Sequence, residues 1–177
     1  MPAASGYSIW LVPERHSLAY SSLSVCIDTI AQKLGTPCFD PHITLLGEVD
    51  DTESNLLSRC ELLAGMLKPY EANLGAIASN GTYYQIAFAC VEATAEVMYA
   101  HRQARAVFGI APSSYFPHLS LAYGNLPLSQ ISSIVEQDVD ALGLPKRFPL
   151  TSFELWRTEG EVQEWRFVRA FSFATRS

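Results

Sequence analysis

The chain has 177 residues, 49% hydrophobic and 17% charged, which is enough for one domain with a real core and too apolar for a disordered chain. Its formal charge is −6, with 12 basic against 18 acidic residues, and it lacks the basic stripe typical of proteins that live on long nucleic acid. No apolar run approaches the roughly 20 residues needed to span a bilayer. The opening "MPAASGYSIWLVPERH" has neither the basic n-region nor the long apolar stretch of a secretory signal, so a cytoplasmic protein without a membrane partner is expected.

"YSIWLV" (7–12) reads as a first strand that Pro13 ends. Residues 15–34 carry Leu23, Cys26, Ile27, Ile30 and Leu34 at helical spacing, and "LGTPCFDP" breaks that helix. His42 to Val49 reads as a strand. Asp50 and Glu53 then stand at capping-box separation, before a helix face of Leu56, Cys60, Leu63 and Leu67. Between 71 and 91 two strands meet at "SNGT", a hairpin signal. Ala95 to Phe108 is a helix with Val97, Ala100, Ala104 and Val107 on one side; "GIAPSSYFP" is a loop, and His118 to Tyr123 a strand. "NLPLSQ" opens a helix predicted to carry Ile131, Ile134, Val135 and Leu142. "LGLPKRFP" breaks it, and two strands near 150–158 and 161–173 close the chain around Glu159-Gly160. Each half thus runs helix, loop ending in Pro-His, strand, helix. A duplicated α+β unit with two facing lobes accounts for that order.

The repeat is explicit in "FDPHITLLGEV" (39–49) and "YFPHLSLAYGNL" (115–126). A strand alternates its faces. His42 and Thr44 therefore share one face, with Ile43 and Leu45 toward a core; His118 and Ser120 do the same, with Leu119 and Leu121 behind. Proline lacks an N–H, which suits the first residue of a strand. Two imidazoles can take and give a proton near neutral pH, and two hydroxyls can donate to an anion as charge develops on it. Across a cleft, the four groups would flank a tetrahedral phosphate, with no metal or other cofactor required.

A lone histidine on a strand face is more often structural than catalytic; the repetition of proline before and hydroxyl two after is what lifts this pair. A metal site needs three or four ligands, and His16 and His101 sit in predicted helical regions without carboxylates at i+4. Ser120 lacks a G-x-S-x-G elbow, and no His-x-His-x-His run is present. Cys26, Cys38, Cys60 and Cys90 form no CxxC pair or zinc spacing and read as small hydrophobes. Arg15, Arg102 and Arg105 read as solvated helix residues.

"HIT" (42–44) and "HLS" (118–120) resemble the paired H-x-T/S motifs of the two-histidine phosphoesterases. "YSIWLVPE", "FDPHITL", "SNGTYYQ", "YFPHLSLAYGNL" and "VQEW" are similar, in order and spacing, to the plant and fungal 2′,3′-cyclic-nucleotide 3′-phosphodiesterases. The resemblance implies a bilobal α+β fold: two antiparallel sheets facing a central cleft, helices outside, one domain over 1–177. It implies hydrolysis of 2′,3′-cyclic nucleotides to 2′-phosphates, and activity on ADP-ribose 1″,2″-cyclic phosphate, a by-product of tRNA splicing. His42 and His118 would be the acid–base pair, with His118 as base and His42 as acid by resemblance alone. Thr44 and Ser120 would hold the phosphate, Tyr123 would add a phenol, and Trp10 would flank the base or ribose. Strict alternation puts Tyr123 on the face opposite His118, so a twist or the strand's end must bring it in. Trp10 has a core-aromatic alternative. One of Tyr83 and Tyr84 should face inward, with Tyr84 the candidate. Partners are small cyclic esters bound by a monomer. Two rival readings remain: processing of RNA ends, and nucleotide binding without catalysis.

Overall fold

The computed structural model describes residues 5–175. Among these described residues eight strands form one curled antiparallel sheet. They are β1 (Tyr7–Leu11), β2 (Ile43–Val49), β3 (Tyr70–Ala78), β4 (Ala87–Val91), β5 (His118–Ala122), β6 (Arg147–Leu150), β7 (Ser152–Arg157) and β8 (Arg166–Ser172). Their spatial order is β6-β3-β4-β5-β2-β1-β7-β8. The helices that accompany them among the described residues are α1 (Leu18–Leu34), α2 (Glu53–Met66), α3 (Ala95–Phe108) and α4 (Leu128–Val135).

The sheet divides at its middle. β2 and β5 meet through one register pair, Ile43 opposite Leu119. On one side lie β2, β1, β7 and β8; on the other lie β5, β4, β3 and β6. The two expected sheets are therefore joined edge to edge at a single bridge. The segment β1-α1-β2-α2 and the segment β4-α3-β5-α4 run in the same order. Their long helices are built alike. Ser17 caps α1 by accepting from the Tyr20 amide, and Thr94 caps α3 by accepting from the Val97 amide. Each helix ends in a glycine at φ 67°, Gly35 and Gly109, where a β-carbon would be strained.

The core lies between this sheet and the helices. Ile9 and Leu11 of β1, Ile43 and Leu45 of β2, and Leu119 and Leu121 of β5 pack with Leu23 and Ile27 of α1 and Leu56 and Leu63 of α2. Burying such a side chain contributes about 1.5–3 kcal/mol. That burial explains why the alternate residues of β2 and β5 are committed to the opposite face.

Several boundaries differ from expectation. The cap of α2 is Thr52, whose hydroxyl accepts from the Asn55 amide, and not Asp50. Asp51 instead accepts from the Thr52 amide and the Asn55 side chain. α1 begins at Leu18, so Arg15 and His16 precede it. α4 stops at Val135 and leaves Leu142 in a run of turns. The "KRFP" stretch is not a break: β6 forms there and pairs with β3, with Phe148 opposite Ala72. The hairpin after "SNGT" contains a 3-10 turn, Tyr83–Gln85. Cys26 and Cys60 are buried as expected of small hydrophobes, but Cys38 is exposed; all four cysteines are free thiols.

Candidate active site

The bridge that joins the half-sheets also assembles the site. Continuing the register from the Ile43–Leu119 pair sets His42 opposite Ser120 and Thr44 opposite His118. Each histidine is thus the register neighbour of the other motif's hydroxyl residue. All four residues line one cavity of about 300 Å³, together with Trp10, Tyr84 and Tyr123. Alternation holds as expected: Ile43 and Leu45, Leu119 and Leu121 lie in the core on the far side.

The ring contacts fix the tautomers. His42 Nδ1 lies 2.6 Å from the Asp40 carbonyl oxygen. His118 Nδ1 lies 2.9 Å from the Phe116 carbonyl oxygen. A carbonyl only accepts, so each Nδ1 carries the proton and each Nε2 presents a lone pair to the cavity. The acceptor is in both cases the residue before the proline. A residue before proline is held extended, which suits a carbonyl aimed back at the ring. This gives the Pro-His pairing a second role, besides starting a strand without an N–H.

The two Nε2 atoms have different neighbours. The Tyr123 hydroxyl is 3.2 Å from His42 Nε2, and the Gln85 amide nitrogen is 3.1 Å from His118 Nε2. Burial pushes His42 down to about 4; its contact with the Asp40 carbonyl opposes that fall, and charge on His118 adds to it. Burial also lowers His118, opposed by its contact with the Phe116 carbonyl. Both rings therefore favour the neutral form in the free protein.

Tyr123 reaches His42 because β5 ends at Ala122 and strict alternation no longer applies one residue on. Phe39 stacks on the Tyr123 ring with centroids 3.8 Å apart. Burial raises the phenol's pKa, so it stays protonated. The Ser120 hydroxyl donates to the Tyr84 carbonyl at 2.8 Å. The Thr44 carbonyl accepts from the Tyr115 hydroxyl at 2.9 Å, which ties the loop before one motif to the strand of the other.

Trp10 is both a core aromatic and a cavity wall: it is 2% exposed, and it lines the cavity. Its ring stacks on His42 at 3.7 Å with the planes 9° apart, and on Trp156 at 4.6 Å. Arg15, expected as a solvated helix residue, instead anchors this stack from the loop after β1. Its guanidinium forks onto both carboxylate oxygens of Glu154, each at 2.8 Å, and reaches Asp40 at 3.1 Å. Glu154 in turn accepts from the Trp156 indole at 2.7 Å. Arg102 is an exposed residue of α3, and Arg105 is half-buried there. His101 is buried on α3, stacked on Tyr115 at 3.9 Å.

The structure also brings in residues to which sequence reasoning gave no role: Ser8, Glu48, Gln85, Thr158 and Trp165. Ser8 and Thr158 pair through their hydroxyls at 2.9 Å. Glu48 has φ 55°, a left-handed conformation unusual for a non-glycine residue. Trp165 follows the second 3-10 turn, Val162–Glu164. Its only sequence signal is the "VQEW" run. Among the described residues, no Lys or Arg lines the cavity, and no group of three or more His, Cys, Asp or Glu is gathered as a metal would require.

The fold matches solved structures along its whole length. One is E. coli LigT complexed with 3′-AMP: 11% identity, a TM-score of 0.63, 98% of this chain and 99% of that one. Another is TT0787 of Thermus thermophilus: 17% identity, a TM-score of 0.62, 97% and 98% coverage. The chain is a two-histidine phosphoesterase in fold and superfamily. The model of the cyclic phosphodiesterase-like protein family matches residues 5–173, and the chain belongs to that family. The "Cyclic phosphodiesterase" of Arabidopsis thaliana is 26% identical over 170 residues, 92% of each chain.

Proposed function

We propose that the protein hydrolyses 2′,3′-cyclic nucleotides to nucleoside 2′-phosphates without a metal, and opens ADP-ribose 1″,2″-cyclic phosphate to ADP-ribose 1″-phosphate. One observation carries this reading: two imidazole Nε2 atoms and two hydroxyl residues converge on a single small cavity. The cyclic phosphate lies between the motifs. His118 Nε2 takes a proton from water, whose oxygen attacks phosphorus in line with the 3′ oxygen. The P–O3′ bond breaks, and His42 Nε2–H delivers its proton to that oxygen. Thr44 and Ser120 donate to the non-bridging oxygens; Ser120 exchanges its Tyr84 carbonyl for the substrate.

The order of the two histidines has a structural support. A phenol can donate to neutral His42 and accept from its protonated form. Tyr123 therefore stays hydrogen-bonded in either state, as suits a residue that must arrive charged and leave neutral. The Trp10 face against that ring favours the cation further. Since burial keeps both rings neutral, the substrate's negative charge must raise His42.

The cavity, about 300 Å³, sits at the small end of ligand pockets. With no lysine or arginine among its described lining residues, it suits the singly charged cyclic phosphodiester group that both substrates share. E. coli LigT has been seen with 3′-AMP and with phosphate, which fits a nucleotide-sized ligand in this fold. In this reading the protein is a cytoplasmic monomer, its two half-sheets forming the lobes of one domain. The test is incubation with a 2′,3′-cyclic nucleotide in EDTA, with the product identified by phosphorus NMR. A 2′-phosphate alone supports the proposal. A 3′-phosphate, or turnover only after metal is restored, refutes it. Folded protein that binds nucleotide without turnover would make it a binding module.

A further inference from the structure

The turn "SNGTYYQ" (79–85) carries a hydrogen-bond chain whose direction can be read from one end to the other. The Thr82 amide donates to Asn80 Oδ1 at 3.0 Å, and the Thr82 hydroxyl donates to the same oxygen at 2.8 Å. A backbone N–H can only donate, so Asn80 Oδ1 is fixed as the acceptor, and Asn80 Nδ2 must face the other way. It donates to Gln85 Oε1. That contact fixes the Gln85 amide in turn and points its nitrogen at His118 Nε2, 3.1 Å away. The frame under this chain is made by backbone: Asn80 N–H to Gln85 O at 3.1 Å, Gln85 N–H to Thr82 O at 3.0 Å. Gly81 supplies the φ of 77° that the bend needs.

We propose that Asn80 and Gln85 are positioning residues that hold the His118 Nε2 lone pair free of a proton and aimed into the cavity. This rests on the reading of His118 as the base. An amide nitrogen cannot accept. His118 can be protonated at Nε2 only if Gln85 withdraws or turns over, and turning over places its nitrogen against the Asn80 nitrogen. His42 faces a hydroxyl that can serve in either direction. The two motifs share one form, so this difference in neighbours is what keeps one histidine unprotonated and ready to act as the base. As substrate enters, the water to be activated replaces the amide at Nε2, and the freed Gln85 N–H groups face the same cavity.

The titratable groups that share the cavity with His118 are His42 and Glu48 near β2, Tyr84 in the 3-10 turn, and Tyr123 beyond β5. Cys90 is its register partner on β4. α1, which packs against β5, buries Leu23, Cys26, Ile27, Ile30 and Ala31, of which Cys26 alone can titrate. The group set against Nε2 itself is the Gln85 amide.

The test is an NMR titration of the His118 ring, alongside the pH profile of kcat/KM. Asn80→Asp keeps the acceptor for Thr82 but cannot donate to Gln85. The Gln85 amide then turns over and offers its oxygen to a protonated His118. The His118 midpoint should rise by about one unit, and the acid limb of kcat/KM should move with it, leaving the fold unchanged by circular dichroism. In a Gln85→Leu background the same Asn80→Asp change should lose most of that shift, because the added charge remains but the reversal does not. An unchanged midpoint in Asn80→Asp, or a shift of equal size with and without Gln85, overturns the proposal. The titration is read in the free protein. Absence of turnover would therefore refute the cyclic phosphodiester reading and still leave the chain of donors tested.

Discussion

At the residue scale the two histidines carry the most specific expectations. His42→Ala or His118→Ala should lower kcat about 10²–10⁴-fold, the range for a positioned acid or base, with circular dichroism unchanged. Retention of near-full activity by either variant would defeat the paired mechanism. The pH behaviour follows from burial. The singly protonated pair that the proposed mechanism needs is most populated between the two depressed values, so kcat/KM should peak below pH 6.5 and fall on both sides. Stability has its own sign. The unfolded chain holds a proton on His42 up to about its ordinary 6.5, while the folded chain holds one only below about 4. The unfolded state therefore binds more protons across that window, and stability falls as the pH drops through it. The loss is about 3 kcal/mol by pH 4. Urea unfolding at stepped pH would measure it, and a His42→Gln variant should show a correspondingly flatter acid side.

At the scale of elements, the meeting of β2 and β5 holds both the fold and the site together. One register pair joins the half-sheets there, backed by apolar packing of Ile43, Leu45, Leu119 and Leu121 and by the ties of Tyr115 to Thr44 and of Tyr123 to His42. Ile43→Ala should cost about 2–5 kcal/mol, the range for truncating a buried aliphatic side chain. It should also lower activity beyond what the remaining folded fraction explains, because the same pair sets each imidazole opposite the other hydroxyl. Urea unfolding together with activity normalised to folded protein would separate the two effects. Unchanged activity per folded molecule would show that the bridge supports the fold without positioning the motifs. The Arg15–Glu154–Trp156 network acts one layer further out, on the stack of Trp10 against His42.

At the scale of the whole molecule the charge distribution limits the substrate. The chain carries −6, and the described residues that line the cavity are hydroxyls, imidazoles, aromatics, Gly47, the Gln85 amide and one carboxylate, Glu48, with no lysine or arginine. A ligand with one phosphate charge releases few counterions. kcat/KM on a cyclic mononucleotide should therefore change about threefold or less between roughly 50 and 200 mM salt. A steep salt dependence, with oligonucleotides preferred over mononucleotides, would instead favour RNA-end processing. Among the described residues no helix is long and apolar enough to cross a membrane.

Much of this was legible in the sequence, for physical reasons that act locally. Alternation along a strand assigned His42 and Thr44, and His118 and Ser120, to one face and their leucine and isoleucine neighbours to the other. Apolar spacing located all four helices. These depend on residues a few positions apart. Boundaries were less legible, because Thr52 and Asp50 compete for one cap and the backbone decides between them. The tertiary structure alone decided what depends on residues far apart in the chain. The Ile43–Leu119 register crosses the two motifs. The end of β5 delivers Tyr123 to His42. Arg15 finds Glu154 on β7, and the 3-10 turn brings Gln85 to His118. The sequence determined that two proton carriers and two hydroxyls exist in matched pairs. Only the closing of the sheet gave the pairs different neighbours, because hydrogen-bond direction depends on which donor or acceptor the fold places against each ring.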